Sequence, residues 1–240
     1  MLAERLAGRT ELDVTLSLAG RTAAPARQPV PVRSGGFGGA AGLTDYLSSE
    51  RIDVLIDATH PYASGISANA LAAAHESNVP VVVLRRPPWI AVAGDRWTEV
   101  DGVREAVRAL GPSPRRVFVT LGRNELASFA DAPQHHYLVR SVDPVDPPLP
   151  LPHAVYLTGR GPFAEADDRA LMTTHGIDTV IAKNSGGSAT YGKIAAARSL
   201  GIGVIILRRP PAPDEPSVET IEDAIAWLDH ALTSATARGV

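Results

Sequence analysis

Lys183 and Lys193 are the only lysines in the 240 residues, and the other 21 of the 23 basic residues are arginine. Both lysines fall in one short segment, Lys183-Asn-Ser-Gly-Gly-Ser-Ala-Thr-Tyr-Gly-Lys193. Asn184, Ser185 and Ser188 offer amide and hydroxyl groups. Gly186 and Gly187 let a ligand approach the backbone, and the two lysines supply positive charge. The combination suits an anion carrying carboxylates or phosphates. The plainer alternative is a glycine turn flanked by two surface lysines. Arg123, in Gly122-Arg-Asn-Glu125, and Arg160, in Gly159-Arg-Gly-Pro162, add positive charge at two further strand ends.

A second chemical segment is Asp57-Ala-Thr-His-Pro-Tyr-Ala63. His60 reads as a proton donor or as a hydrogen-bonding group beside a nicotinamide, against the plainer reading of a structural histidine. Tyr191, Asp143 and water are the other candidate proton donors. No second His or carboxylate accompanies His60 at ligand spacing, so no metal site is expected. His135-His136 has no partner motif and reads as structural. Ser34-Gly-Gly-Phe-Gly-Gly39 lies between a strand at 30–33 and a helix at 43–50, a junction that turns backbone N–H groups toward a phosphate or sugar. Its candidate contacts are Ser34, Gly35, Gly36 and Phe37. The loop is neither G-x-G-x-x-G nor a Walker loop, and a flexible turn is the equal alternative. Arg21 ends a strand at 14–18. In a dinucleotide fold an arginine there accommodates a 2′-phosphate and favours NADP over NAD, whereas the plain reading is a solvated loop arginine.

The elements that must position these groups form an internal repeat. Ile52-Asp-Val-Leu-Ile-Asp57 opens one unit and Ile177-Asp-Thr-Val-Ile-Ala-Lys183 the other, and each unit closes on an apolar strand followed by Leu-Arg-Arg-Pro-Pro, at 84–88 and 207–211. Between them the pattern predicts Ala-rich helices over 61–77, with Pro61 in the first turn, and over 189–200, with Ser188 as N-cap. Acidic helices follow each Leu-Arg-Arg-Pro-Pro, at 100–110 and 217–232. Further strands are expected at 115–121, 137–141 and 154–158, with short helices at 126–130 and from 159 to about 174. Continuous β-branched strands joined through helices imply parallel sheets covered on both faces. The expected fold is α/β, two Rossmann-like domains spanning 1–96 and 97–240. In the second half a strand and a glycine turn precede the helix near 126. In the first half the matching helix, 2–7, has neither before it, so the first domain reads as lacking its first strand or as permuted.

Composition narrows the function classes. The absence of cysteine excludes disulfides, thiolate nucleophiles and iron–sulfur clusters. A net charge of −3 argues against a general nucleic-acid binder. No apolar run approaches the roughly 20 residues that span a bilayer, and the start does not read as a signal peptide. A cytoplasmic enzyme without a membrane partner is expected, and a monomer.

Asp57-Ala-Thr-His-Pro-Tyr-Ala63, Leu121-Gly-Arg-Asn-Glu125 and Lys183-Asn-Ser-Gly-Gly187 through Arg198 together resemble the precorrin-6A reductase family, which includes the cobalt-precorrin-6A reductases of cobalamin biosynthesis. The resemblance runs over nearly the whole chain. It implies two Rossmann-like domains with NADPH and a polycarboxylate tetrapyrrole, precorrin-6A, in a cleft between them. It also implies reduction of one ring double bond to give precorrin-6B, by hydride from NADPH plus a proton. The cofactor side would then comprise Arg21, Ser34, Gly35, Gly36, Phe37, Asp57, Ala58, Thr59, His60 and Pro61. The substrate side would comprise Arg123, Arg160, Lys183, Asn184, Ser185, Gly186, Gly187 and Lys193. Family members usually open with an apolar strand and a Gly-Gly-Thr-type loop, and this sequence starts after that element. The alternatives are the same step on cobalt-precorrin-6A, another NADP-dependent reductase of a small anion, and a non-enzymatic NADP sensor. The spacing of Tyr191 and Lys193 is not Tyr-x-x-x-Lys, which counts against a short-chain dehydrogenase.

Overall fold

The computed structural model describes residues 2–20, 25–212 and 214–238, with the side chains of 235–238 excepted. The elements of the first 86 residues are α1 (Leu2–Leu6), β1 (Leu16–Leu18), β2 (Val32–Ser34), α2 (Ala40–Ser49), β3 (Leu55–Asp57), α3 (Ser64–Glu76) and β4 (Val81–Leu84). Next come β5 (Trp97–Val100), α4 (Val103–Ala109), β6 (Arg116–Thr120), a 3-10 helix (Arg123–Asp131), β7 (His136–Ser141) and β8 (Ala154–Thr158). The chain closes with α5 (Glu165–Thr174), β9 (Thr179–Lys183), α6 (Gly192–Leu200), β10 (Gly203–Leu207), β11 (Ser217–Val218) and α7 (Ile221–Arg238).

These elements form two compact units, one of residues 1–86 with 210–240 and one of residues 87–209. In the second unit six strands form one sheet in the order β5-β10-β9-β6-β7-β8, every neighbour parallel. The chain lays down β5 at one side, then β6 at the centre, winds outward through β7 and β8, and returns to build β9 and β10 between β6 and β5, the order of a doubly wound fold. The central strands are continuous apolar runs because both faces are covered. Val117, Phe118 and Val119 of β6 and Val180, Ile181 and Ala182 of β9 are all 0% exposed. The small side chains of Ala196 and Ala197 let α6 lie close on that sheet, and Gly201, left-handed at φ +67°, ends the helix.

The first unit has the same parallel character in two smaller sheets, β1-β2 and β3-β4-β11. Among the described residues no strand pairs with both β1 and β3.

The expected boundary at 96 is corrected by the strand pairing. β5 follows β4 in the chain yet pairs with β10, and β11 follows β10 yet pairs with β4. Each half of the repeat thus gives its last strand to the other unit. The division falls inside both Arg-Arg-Pro-Pro motifs, at 86/87 and 209/210. Proline has no N–H for the ladder and fixes φ, so both strands must end there and the chain must turn away.

Local starts also move. The helix expected from 61 begins at Ser64, because residues 60–63 close a turn in which Ala63 N–H donates to His60 O at 2.7 Å. The helix expected from 189 begins at Gly192, after a turn in which Tyr191 N–H donates to Ser188 O at 3.1 Å, so Ser188 is not its N-cap. The helix expected over 100–110 is the shorter α4, 103–109, and Val100 instead ends β5.

Candidate functional site

Because all six strands of residues 87–209 are parallel, the segments that follow them leave the sheet at one edge. Arg123 follows β6, Asp143 follows β7, Arg160 follows β8, and residues 184–191 follow β9. Arg123 and Arg160 are exposed. Asp143 is half-buried, its carbonyl accepting the Ser141 hydroxyl at 2.6 Å. Lys183 ends β9, and its Nζ lies 2.6 Å from Glu125 Oε2. The same Glu125 oxygen accepts Gly122 N–H at 3.0 Å, so the Gly122–Glu125 turn is tied to the β9 end.

The glycine loop is held in an unusual conformation. Gly186 and Gly187 both take left-handed φ, +66° and +69°. A Cβ at Gly186 would collide with Pro87 O and the Arg209 guanidinium, so only glycine fits there. Both ends of the Asn184 amide are engaged: Oδ1 accepts Trp89 N–H at 2.7 Å and Nδ2 donates to Trp89 O at 2.9 Å. Asn184 O accepts from Arg209 Nε at 2.6 Å.

Lys193 is not where the sequence suggests. It is 4% exposed, donates from Nζ to Thr190 O at 2.7 Å, and lies 5.2 Å from the Trp89 ring centre. Burial, reinforced by the Arg140 guanidinium and opposed by Asp168, lowers its pKa from 10.5 to about 7. The sequence predicts Lys193 as a substrate contact; in this structure its side chain is buried against Thr190 O and the Trp89 ring. Tyr191 is half-buried, and its hydroxyl receives a hydrogen bond from Arg198, itself paired with Asp95 at 2.8 Å.

In the other unit the expected residues follow two strand ends. Asp57, the last residue of β3, is 4% exposed, and its Oδ1 accepts Thr59 N–H at 3.0 Å. Its Oδ2 is buried without a hydrogen-bond partner, an acceptor waiting for a donor. Ala58 and His60 are exposed and Thr59 and Pro61 half-buried, with the Thr59 hydroxyl 3.0 Å from that of Ser67. His60 Nδ1 accepts Tyr62 N–H at 3.4 Å. After β2, Gly35, Gly38 and Gly39 take positive φ, and a Cβ on any of them or on Gly36 would meet nothing within 4 Å. The loop is braced from below. Arg33 donates to Gly35 O at 2.6 Å and Gly36 O at 3.0 Å, and its guanidinium stacks 3.7 Å from the Phe37 ring centre. Phe37 in turn packs on the buried Leu43 and Leu47, so it anchors the loop. The N-terminus of α2 carries no side-chain cap, leaving its N–H groups for an anion. An orphaned buried carboxylate oxygen, open glycines and an uncapped helix start suit the hydroxyls and phosphates of a nucleotide. Arg21 lies outside the described residues.

Sequence reasoning missed Trp89, Arg209, Arg140 and Asp168. Arg140 and Asp168 form a buried ion pair, with Arg140 stacked 3.7 Å from the Phe163 ring centre. Arg209 belongs to the second Arg-Arg-Pro-Pro motif and Trp89 directly follows the first; the repeat marks their place in the chain but not their partners. Among the described residues no group of three metal-ligating side chains occurs, and no helix is long and apolar enough to cross a membrane.

Comparison with known proteins agrees with this geometry. The Precorrin-6x reductase CbiJ/CobK family model matches residues 1–229. A precorrin-6A reductase of Sinorhizobium sp is 54% identical over 234 residues, covering 98% of this chain and 90% of that one. A cobalt-precorrin-6A reductase of Priestia megaterium is 28% identical over 204 residues, covering 81% and 78%. Among solved structures, a CobK precorrin-6A reductase superposes with a TM-score of 0.93 at 47% identity, covering 96% of this chain and 91% of that one. A match over almost the full length, joined to a shared arrangement of strands, makes this chain a member of the precorrin-6x reductase family.

Proposed function

We propose that the chain reduces one ring double bond of precorrin-6A to give precorrin-6B, with NADPH as reductant. The observation that carries this reading is the edge of the six-stranded sheet, where Arg123, Arg160, Lys183 and a rigid glycine loop emerge together. A polycarboxylate macrocycle needs such a set of positive and N–H groups, and it offsets the overall charge of −3. Identity to the precorrin-6A reductase of Sinorhizobium sp, 54%, against 28% to the cobalt-precorrin-6A reductase of Priestia megaterium, favours the metal-free substrate.

On this reading NADPH, when bound, supplies the hydride. The chain's own residues orient it: the open glycines after β2 and the start of α2 take phosphate, and Asp57 Oδ2 accepts a hydrogen bond from a cofactor hydroxyl or amide. Most of the rate then comes from holding donor and acceptor carbons in register. His60, exposed just after β3, is the proton donor this reading favours.

The test is NADPH oxidation with precorrin-6A as acceptor. Turnover should require the tetrapyrrole. Replacing Arg123 and Arg160 together with alanine should raise its KM about tenfold or more, two charge-assisted contacts at roughly 1 kcal/mol each, while the KM for NADPH stays within twofold. An unchanged tetrapyrrole KM would remove the substrate edge from this account. NADP binding without any oxidation would favour a sensor.

A further inference from the structure

We infer that Trp89 is a positioning residue that locks the glycine loop after β9 into its ligand-ready form before any ligand arrives. This rests on the reading that the loop binds the anionic substrate. Trp89 lies 95 positions before Asn184, on the segment that leads into β5, and five separate contacts converge from it on residues 184–193. Its backbone N–H and C=O pair with the Asn184 side-chain amide at 2.7 and 2.9 Å, as a strand neighbour would. Its indole Nε1–H donates to Gly187 O at 2.8 Å. Its ring lies 5.2 Å from Lys193 Nζ and meets the Tyr191 ring edge-on at 5.6 Å. Trp89 itself is 9% exposed and belongs to the core that includes Phe118, Ile194 and Ile206.

The physical need for such a lock is specific. Two consecutive glycines in left-handed backbone carry the largest conformational entropy of any pair, and a free loop would sample many states. Ordering it only on binding would subtract from affinity, whereas a loop ordered in advance leaves that free energy for the ligand. The indole N–H holds Gly187 from one side, while Arg209 Nη2, bonded to Pro87 O at 3.1 Å, and Pro87 itself press on Gly186 from the other. Lys193 holds the far end of the loop through Thr190 O at 2.7 Å.

Trp89→Phe keeps an aromatic ring and removes only the indole donor. In the full chain, amide hydrogen exchange at residues 185–190 should accelerate about tenfold, the loss of one hydrogen bond of roughly 1.4 kcal/mol. The tetrapyrrole KM should rise five- to tenfold, with kcat and the KM for NADPH within twofold. Asn184→Ala, which removes the two backbone bonds from the loop's own side, must reproduce the exchange result. Unchanged exchange in both variants would overturn the lock. Faster exchange with an unchanged tetrapyrrole KM would leave the lock standing and overturn the loop's role in substrate binding, which separates the two failures.

Discussion

Residues 87–209 build one sheet, β8-β7-β6-β9-β10-β5, whereas residues 1–86 with 210–240 build β2-β1 and, apart from it, β3-β4-β11. Set against each other, the orders correspond strand for strand except at β6. That strand bonds β7 on one side and β9 on the other, so it makes one sheet of what would otherwise be two. Its Val117, Phe118 and Val119 are completely buried, while β1 and β2 contain no buried residue. The cores follow the sheets. Among the described residues, one cluster gathers Phe118, Met172, Ile194 and Ile206 in the second unit, while smaller clusters form around Leu43 and Leu47 and around Val81 and Val83 in the first. One fully paired central strand joins the second unit's sheet where the first unit's strands stay in two sheets.

The sharpest way to break that comparison is to substitute one strand residue in each unit. Phe118→Ala should lower stability by about 3–5 kcal/mol in denaturant unfolding, the usual effect of emptying a closed core. Val32→Ala in β2, 44% exposed, should change it by about 0.5 kcal/mol or less. Equal effects would mean the first unit is as tightly built as the second.

The next effect is functional and of the order of tenfold. Asp57 is the only buried ionisable side chain among the described residues of the first unit, whereas the second buries Asp168, Lys193 and His135. Asp57→Asn should raise the KM for NADPH about tenfold, one lost hydrogen bond to a charged acceptor, and leave the tetrapyrrole KM within twofold. A change in the tetrapyrrole KM instead would undo the division of labour.

A further effect is a pH slope. Unfolded, Lys193 keeps its proton up to about its ordinary 10.5, while in the fold it releases it near 7. Between those values the unfolded chain holds more protons, so stability rises with pH across that window. Lys193→Met removes this contribution. The melting temperature of the variant relative to the parent should be highest at pH 6 and fall steadily toward pH 9. A flat difference would show that the lysine is neutral or solvated at all these values.

The repeat, the parallel sheets and the strand at 154–158 were legible because each is local: periodicity, β-branched runs and glycine or proline punctuation settle them. The exchange of β5 and β11 was not, since both follow the same Leu-Arg-Arg-Pro-Pro and nothing near them distinguishes β4 from β10 as a partner. Arg123, Arg160 and the glycine loop were placed at strand ends correctly. The burial of Lys193 was not legible, because it comes from packing against Trp89, 104 positions earlier, which no local pattern shows. Trp89 was invisible for the plainest reason, that its partners lie almost a hundred positions away.

The exchanged strands also set an order of events on the ribosome. Residues 87–209 are contiguous and hold every strand of their sheet, so that unit is complete as soon as residue 209 has cleared the exit tunnel. Val83 of β4, by contrast, must wait for Ser217, its partner in β11 134 positions later. At about 5–20 residues per second that is a delay of roughly 7–27 s. Throughout it the Val81–Leu84 edge stands unpaired and apolar. The nascent chain is therefore most exposed to misassembly in its oldest part, and a truncation that removes the final thirty residues would injure the beginning of the protein more than the middle.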